Sequence, residues 1–197
     1  MSTPWSKCGS DFLRDEHDWS KGQDVNAPDR VLLRSLLTEL EPCSLLDVGC
    51  GTGIELDGIL AEGLRVEYTG LDITPEFIDA CGKLFAPEHH FVCADAWNLE
   101  DEGTYTVVSA RAVLEHVENG ERLLPILFRA CSKLLYISFF IAPGKRDVIE
   151  VTEDGFLQRR YSLQLLLDAV ESLNPSRFER REYQHVGQDW SVWMIGK

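Results

Sequence analysis

Apolar and polar positions follow two alternating patterns along this chain. Short apolar runs, such as "CSLLDV" (43–48) and "LLYISFFIA" (134–142), are separated by longer stretches in which apolar residues recur every three or four positions. The short runs predict buried strands and the longer stretches predict amphipathic helices. Strands that alternate with helices at this spacing predict βαβ units and a parallel sheet covered on both faces.

The end of the chain departs from this alternation. A helix predicted at 161–173 is followed by "RFERREYQHV" and "DWSVWMIGK", two strand patterns joined by a two-residue turn. Such a pair predicts a hairpin, so an antiparallel edge closes the sheet. The predicted fold class is therefore α/β, with a single doubly wound, seven-stranded, mostly parallel sheet, an antiparallel C-terminal hairpin, and helices on both faces. The parallel strands are predicted at 43–48, 65–72, 90–95, 105–111 and 134–142.

Two segments lack a clear period. Residues 1–25 are polar with isolated aromatic residues, and the loop at 143–161 is longer than a plain connection. Segments of this length in a compact domain are often lids, so both are predicted to form the substrate pocket. We therefore predict an N-terminal lid or cap segment at 1–25 and one folded domain at 26–197.

Composition and charge limit the classes of partner that we predict for this chain. The net charge of −14 gives a surface that repels phosphate backbones, so we predict no nucleic-acid partner. No apolar run is long enough to span a bilayer, and we predict no membrane partner. The six cysteines show no CxxC or zinc-site spacing, which favours reduced thiols and a cytoplasmic location.

The stretch "LLDVGCGTGIEL" (45–56) carries the strongest chemical signal. A predicted strand runs into three glycines at alternate positions and then into a predicted helix, the arrangement in which a backbone approaches a nucleotide-like ligand closely. The spacing departs from the dinucleotide fingerprint because Ile54 occupies the place of the third glycine. Asp47 would also repel a pyrophosphate. The ligand is therefore predicted to be uncharged or cationic near Asp47.

The motif "LLDVGCGTG" resembles the first motif of the class I methyltransferases that depend on S-adenosylmethionine. That ligand carries no phosphate, and this family closes its sheet with an antiparallel last strand. The resemblance covers roughly residues 30–197 in order and spacing, so it identifies 26–197 as a class I methyltransferase domain. It implies S-adenosylmethionine as cofactor and S-adenosylhomocysteine as product.

The resemblance also implies roles for residues at successive strand ends. Asp72 resembles the acid that binds the ribose hydroxyls, and Ile73 would lie against the adenine face. Asp95 resembles the acid beside the adenine amino group, with Ala96 supplying a backbone N–H. Local alternatives are a helix-start acid for Asp72 and a loop aspartate for Asp95. The remaining implied cofactor contacts are Asp47, Gly49, Cys50, Gly51, Gly53 and Arg111.

The segment after the fourth strand, "SARAVLEHV" (109–117), bears on the acceptor. It lacks the Pro-Pro-aromatic tetrapeptide of many amide and exocyclic-amine methyltransferases, and it resembles the branch that methylates small molecules. Quinone-ring O-methyltransferases carry Glu-x-x-Glu-His here, but Ala112 replaces the first acid, so we predict no metal. His116 is the candidate general base, and a purely structural histidine is an equal alternative.

Together these features predict an enzyme that transfers a methyl group to oxygen or nitrogen of a small-molecule acceptor. The alternatives are a protein methyltransferase and a non-catalytic cofactor-binding subunit of a methyltransferase complex. A nicotinamide-dependent oxidoreductase is disfavoured by Ile54 and Asp47. The sequence does not determine the acceptor, the acceptor atom or the oligomeric state.

Overall fold

The structure is a computed structural model that describes residues 25–100, 103–153, 155–185 and 187–197. The predicted lid segment at 1–25 lies outside the described residues except for Val25, so it stays a prediction. The chain divides into two compact units, one ending at Asn98 and the other beginning at Leu99.

The first unit contains three parallel strands with β2 between β1 and β3. Five of the six residues of β1 are buried, as expected for a strand covered on both faces. The elements of this unit are α1 (Pro28–Leu40), β1 (Cys43–Val48), α2 (Ile54–Ala61), β2 (Val66–Asp72), α3 (Pro75–Leu84), β3 (His90–Cys93) and a short 3₁₀ helix (Ala96–Asn98).

A buried arginine joins α1 to α2. The Arg34 side chain is almost fully buried and lies against Gly58, where a Cβ atom would stand only 2.6 Å from Nη1 of Arg34. Its Nε donates to Glu62 at 2.6 Å, and Nη1 lies 3.6 Å from the buried Glu55 carboxylate. Burial of these charges is offset by their pairing, so the two helices are held in one arrangement.

The second unit contains two sheets. Strand β5 is parallel to β4 and antiparallel to β9, and β8 pairs with the other edge of β9. Strands β6 and β7 form a separate antiparallel pair. The elements are β4 (Tyr105–Arg111), 3₁₀ helices (Leu114–His116 and Gly120–Leu123), α4 (Leu124–Ala130), β5 (Cys131–Phe139), β6 (Val148–Val151), β7 (Leu157–Arg160), α5 (Leu163–Ser172), β8 (Arg177–His185) and β9 (Gln188–Gly196).

The predicted fold class is confirmed. The strand order is β3-β2-β1 in the first unit and β4-β5-β9-β8 in the second, and β8 and β9 are the antiparallel C-terminal hairpin. None of the helices in the described ranges is long and apolar enough to cross a membrane.

The structure differs most from the predicted elements in three places. Strand β5 begins and ends three residues earlier than predicted, at Cys131–Phe139. The segment "GERLLPILFRAC" has helical apolar spacing and predicts a helix at 120–131, but Pro125 lies in the first turn of α4, so the α-helix begins late, after a 3₁₀ turn. The loop at 143–161 contains the β6–β7 hairpin, which was not predicted because every residue of β6 is exposed and shows no apolar alternation.

Candidate functional site

The glycine loop after β1 is bonded to the rest of the first unit through its own N–H groups. Gly49 and Cys50 both donate to the carbonyl oxygen of Leu71, at 2.7 and 3.1 Å. Gly51 donates to Oδ2 of Asp72 at 3.0 Å, and Gly53 donates to the Cys50 carbonyl at 3.0 Å. A phosphate site needs such donors turned towards the ligand. These four donors are engaged within the protein instead.

The glycines of this loop serve different purposes. Gly49, Gly51 and Gly53 all have positive φ, at 72°, 54° and 81°. A Cβ atom on Gly53 would stand 2.5 Å from Cε2 of Phe85, so this glycine is needed for packing. A Cβ atom on Gly51 would meet no described heavy atom within 4 Å, so the backbone there borders open space. Gly51 is thus the point at which a ligand can approach the loop.

Asp72 ends β2 beside this open space and holds the loop in place. Its Oδ1 accepts the N–H of Thr74 at 2.8 Å and its Oδ2 accepts the N–H of Gly51 at 3.0 Å. Burial raises the pKa of Asp72. The two backbone N–H donors lower this pKa, whereas the negative charge of Asp47 raises it further. A carboxylate offers about four acceptor positions, so two backbone bonds leave capacity for further donors such as hydroxyls.

Asp47 lies nearly buried in β1, and Tyr68 positions it. The Tyr68 hydroxyl donates to Oδ2 of Asp47 at 2.8 Å, and the Tyr68 ring is buried in β2. Burial, with the Asp47 charge second, raises the Tyr68 pKa well above its usual value, so the hydroxyl stays a donor. The sequence analysis missed Tyr68. The available signal was a tyrosine within a predicted buried strand, since a buried phenol needs a hydrogen-bond partner.

The side chain of Cys50 is buried against β2. Its Sγ lies against Gly70 of β2, where a Cβ atom would stand 2.9 Å away, and its thiol is hydrogen-bonded with Cys81. This bond and burial raise the Cys50 pKa well above its usual value, so Cys50 remains a thiol. A ligand on the open side would therefore meet Cys50 through its backbone.

Asp95 and its neighbours form the third strand end. Asp95 is half-buried just after β3, and its Oδ1 accepts the N–H of Trp97 at 3.0 Å, which caps the 3₁₀ helix that begins at Ala96. Ile73 and Trp97 are each 38% exposed, so both present apolar surface to solvent. Trp97 was not predicted as a site residue, although a tryptophan two positions after a candidate ligand acid was a usable signal.

The first unit therefore brings together four of the residues predicted to bind the cofactor. Asp47, Cys50 and Asp72 interact electrostatically, and Gly51 is bonded to Asp72. Two carboxylates beside a loop whose donors are engaged would repel a pyrophosphate and attract a cation. The arrangement suits a ligand with hydroxyl donors and a positive charge.

The remaining predicted residues, Arg111 and His116, lie in the second unit. Arg111 ends β4, with its guanidinium 4.9 Å from the centre of the Trp190 ring, a cation–π contact. Glu115 is fully buried and accepts the N–H of Phe140 at 2.7 Å. Burial raises the Glu115 pKa to about 7, while backbone donors and Arg111 act against this rise.

His116 connects the segment after β4 to the β6–β7 hairpin. Its Nδ1 lies 2.7 Å from the carbonyl oxygen of Leu157, which can only accept, so Nδ1 carries the proton. The ring stacks on Phe140 with 5.3 Å between centroids. Burial lowers the His116 pKa, so the ring is neutral at pH 7 with its lone pair on Nε2.

Two further side chains anchor the hairpin, and neither was predicted. The buried Arg159 donates to both oxygens of Asp147 and, at 2.9 Å, to Glu121. Its guanidinium also lies 4.4 Å from the centre of the Tyr161 ring. The Tyr161 hydroxyl donates to the Leu114 carbonyl at 2.8 Å. The hairpin is therefore fixed to the two 3₁₀ helices.

No cluster of three or more metal-binding side chains occurs among the residues that the structure describes. The five described cysteines all carry free thiols: Cys43, Cys50, Cys81, Cys93 and Cys131.

Comparison with known proteins identifies the family. Residues 19–193 match the family model described as "Methyltransferase domain". The chain is 35% identical over 98 residues to a ubiquinone biosynthesis O-methyltransferase of Sodalis glossinidius, a match covering 47% of this chain and 36% of that protein. The chain thus spans less than half the length of the curated relatives it matches.

Solved structures share the fold at low identity. One is the 1,6-didemethyltoxoflavin-N1-methyltransferase of Burkholderia thailandensis with bound 1,6-didemethyltoxoflavin and S-adenosylhomocysteine, with TM-score 0.74, 18% identity, and coverage of 95% of this chain and 86% of that one. Another is the magnesium protoporphyrin IX methyltransferase of Synechocystis with bound S-adenosylmethionine, with TM-score 0.68, 13% identity, and coverage of 98% and 88%.

Proposed function

The chain belongs to the methyltransferase domain family, and we propose that it transfers a methyl group from S-adenosylmethionine to oxygen or nitrogen of a small-molecule acceptor. S-adenosylhomocysteine is the second product. The observation that carries this proposal is the open space at Gly51, bordered by Asp72 and close to Asp47. The small-molecule acceptors named for the structural neighbours support the acceptor class.

The first unit fits this cofactor in shape and charge. Gly51 offers room at the loop, and Asp72 offers acceptor capacity for two ribose hydroxyls. Asp47, held by Tyr68, offers a negative charge to an ammonium or sulfonium. The exposed Ile73 offers an apolar face for the adenine, and Asp95 with the backbone of Ala96 lies at the next strand end. Gly49, Cys50 and Gly53 shape the loop through their backbone.

When bound, S-adenosylmethionine supplies a methyl group on a sulfonium, which is already a good leaving group. The chain's own task is to align a nucleophile and exclude water. A hydroxyl acceptor must also lose its proton, and we assign this step to His116. Its Nδ1 proton is committed to the Leu157 carbonyl, so Nε2 is the basic nitrogen of the neutral ring. In this role Arg111 would attract an acidic group of the acceptor or the cofactor carboxylate.

The cofactor assignment is tested by thermal unfolding with S-adenosylmethionine, S-adenosylhomocysteine, NAD and NADP in parallel. We expect stabilisation of about 2.7 kcal/mol by either adenosyl ligand at a hundred times its dissociation constant. Stabilisation by NAD or NADP alone would contradict the proposal.

The ribose role of Asp72 is tested by calorimetry on Asp72→Ala. We expect S-adenosylmethionine affinity to fall by about 1–3 kcal/mol, the cost of losing a charge-assisted hydrogen bond. Asp79→Ala, which removes an exposed acid from α3, is the matched control. Because Asp72 also holds Gly51 and Thr74, an unfolding curve of Asp72→Asn checks that the loop persists. Unchanged affinity in the folded variant would refute the assignment.

The role of His116 as base is tested with two substitutions. His116→Asn retains an N–H donor for the Leu157 carbonyl but has no basic nitrogen, whereas His116→Ala loses both. With a hydroxyl acceptor we expect both variants to lose kcat by about 10²–10⁴-fold with cofactor affinity unchanged. Activity in His116→Asn close to that of the original chain would leave His116 a purely structural residue.

The alternative acceptor is a protein. Incubation of a cell extract with S-adenosyl[methyl-³H]methionine separates the two classes, since label in the fraction that passes a size filter indicates a small molecule. Cofactor binding without turnover on any extract would indicate a non-catalytic subunit. We place the reaction in the cytoplasm, which the free thiols of the described cysteines support.

A further inference from the structure

The β6–β7 hairpin exposes an apolar strand edge. Val148, Ile149 and Val151 of β6 are 42%, 57% and 66% exposed, and each is a large apolar side chain. Within the described residues β6 pairs only with β7, so its other edge carries unpaired backbone donors and acceptors. Natural proteins usually cover or charge such an edge, because it is a template for another strand.

The remainder of the second unit holds the other strand of the hairpin. The carbonyl of Leu157 is bonded to His116, and Arg159 is buried between Asp147 and Glu121. These contacts fix β7 and leave β6 as the outer strand. The edge is therefore both rigidly presented and uncovered by the described chain.

The unpaired charges that flank β6 have opposite sign at its two ends. Lys145 and Arg146 precede the strand and Glu153 follows it, whereas the acid directly before the strand, Asp147, is paired with Arg159. Lys145, Arg146 and Glu153 form no ion pair with another described residue. In an antiparallel pairing of β6 with a copy of itself, centred on Ile149, Lys145 of one chain comes opposite Glu153 of the other. The same pairing brings the two Ile149 side chains together at the centre.

We propose that β6 is the surface through which two copies of this chain associate, as an antiparallel pair about a two-fold axis at Ile149. The interface is isologous, because each charged end meets the opposite end of its copy. It joins the two hairpins into a four-stranded sheet. A strand of four residues buries less than the roughly 1,000 Å² of a stable interface, so the association is reversible and depends on concentration.

Sedimentation velocity over a range of protein concentrations tests this surface. We expect the original chain to pass from monomer to dimer as concentration rises. Lys145→Glu and Glu153→Lys should each weaken association by about tenfold, because each places like charges together at both ends of the pair. The double reversal Lys145→Glu/Glu153→Lys restores opposite charges and should recover the original dissociation constant. Failure of the double variant to recover it would overturn the antiparallel register.

A second variant tests the apolar centre of the same surface. Ile149→Lys should abolish dimerisation, because two ammonium groups would meet at the axis. Leu84→Lys, which changes a 54% exposed apolar residue of α3, is the matched control and should dimerise normally. A monomer at every concentration, or equal behaviour of the two variants, overturns the proposal. The proposal is also overturned if the chain is monomeric and co-sediments with phosphatidylglycerol vesicles while Ile149→Lys does not. In that case the edge of β6 would bind lipid.

Discussion

The glycine loop after β1 and the hairpin after β5 are held by different kinds of contact. The loop is held by its own backbone N–H groups, which donate to Leu71 and Asp72 of the neighbouring strand. The hairpin is held by the side chains of Arg159, His116 and Tyr161, which reach residues 38 to 47 positions away. The loop's attachment therefore depends on its own backbone conformation and on the Asp72 side chain. The hairpin's attachment depends on the identity of a few side chains.

This contrast separates a region that is sensitive to backbone conformation from a region that is sensitive to side-chain identity. In the loop, substitutions act chiefly through backbone conformation, so glycines are the sensitive positions. In the hairpin they act chiefly through loss of a charged or hydrogen-bonded partner. Four predictions challenge or refine this division, in order of decreasing expected effect.

The largest effect is expected at Gly53. Gly53→Ala should lower the free energy of unfolding by about 3 kcal/mol, because φ of 81° is strained for alanine and its Cβ overlaps Phe85. Gly51→Ala shares the positive φ but meets open space, so it should cost only about 1 kcal/mol while weakening cofactor binding. Urea denaturation and calorimetry measure the two quantities. Equal loss of stability in both variants would contradict the different purposes of the two glycines.

Removal of the hairpin's anchor should have the next largest effect. Arg159→Met leaves Asp147 and Glu121 without their shared cation, and we expect a loss of about 2 kcal/mol in unfolding free energy. Arg160→Met, at the exposed neighbouring position, should change stability by less than about 0.5 kcal/mol. Chemical denaturation compares them. Equal free energies of unfolding for the two variants would show that the Arg159 side chain does not fix the hairpin.

A pH-dependent effect is expected from Glu115. Its pKa of about 7 in the folded chain exceeds the usual 4.5, so the folded state keeps a proton that the unfolded state releases. This contribution to stability is complete below about pH 4.5 and is lost as pH rises through 7, by up to about 1.4 kcal/mol per unit. Glu115→Gln should remove this slope and be the more stable form at pH 8. The measurement is the free energy of unfolding of the original chain and of Glu115→Gln from pH 5 to 8. Parallel profiles would show that folding does not raise the pKa of Glu115.

The smallest effect is expected at Tyr68. Tyr68→Phe removes the donor to Asp47 but keeps the ring, and we expect a loss of about 1 kcal/mol in unfolding free energy. S-adenosylmethionine affinity should fall by a similar amount, because Asp47 is no longer oriented. Tyr183→Phe, at a position in β8 distant in sequence from the loop, serves as the control for loss of a hydroxyl. Unchanged affinity in Tyr68→Phe would show that the backbone alone orients Asp47.

The difference between the two regions also explains what the sequence could predict. The limits of β1 and β4 were predicted residue for residue, because buried strands follow a short-range apolar pattern. The glycine loop between β1 and α2 was predicted from adjacent residues with fixed spacing. The hairpin was missed because β6 is exposed at every position and its anchors lie far apart in sequence. Tyr68 was missed because a tyrosine in a strand does not reveal which acceptor it meets.

The contact between Cys50 and Gly70 limits how this chain can diverge. Because the Cys50 thiol and the Phe91 ring would each lie 2.9 Å from a Cβ atom at position 70, the three positions share one volume. A mutation to alanine at position 70 can become acceptable only in a lineage in which both neighbours have already given way. The order in which substitutions become fixed is therefore constrained, and these three positions should be inherited as a matched set.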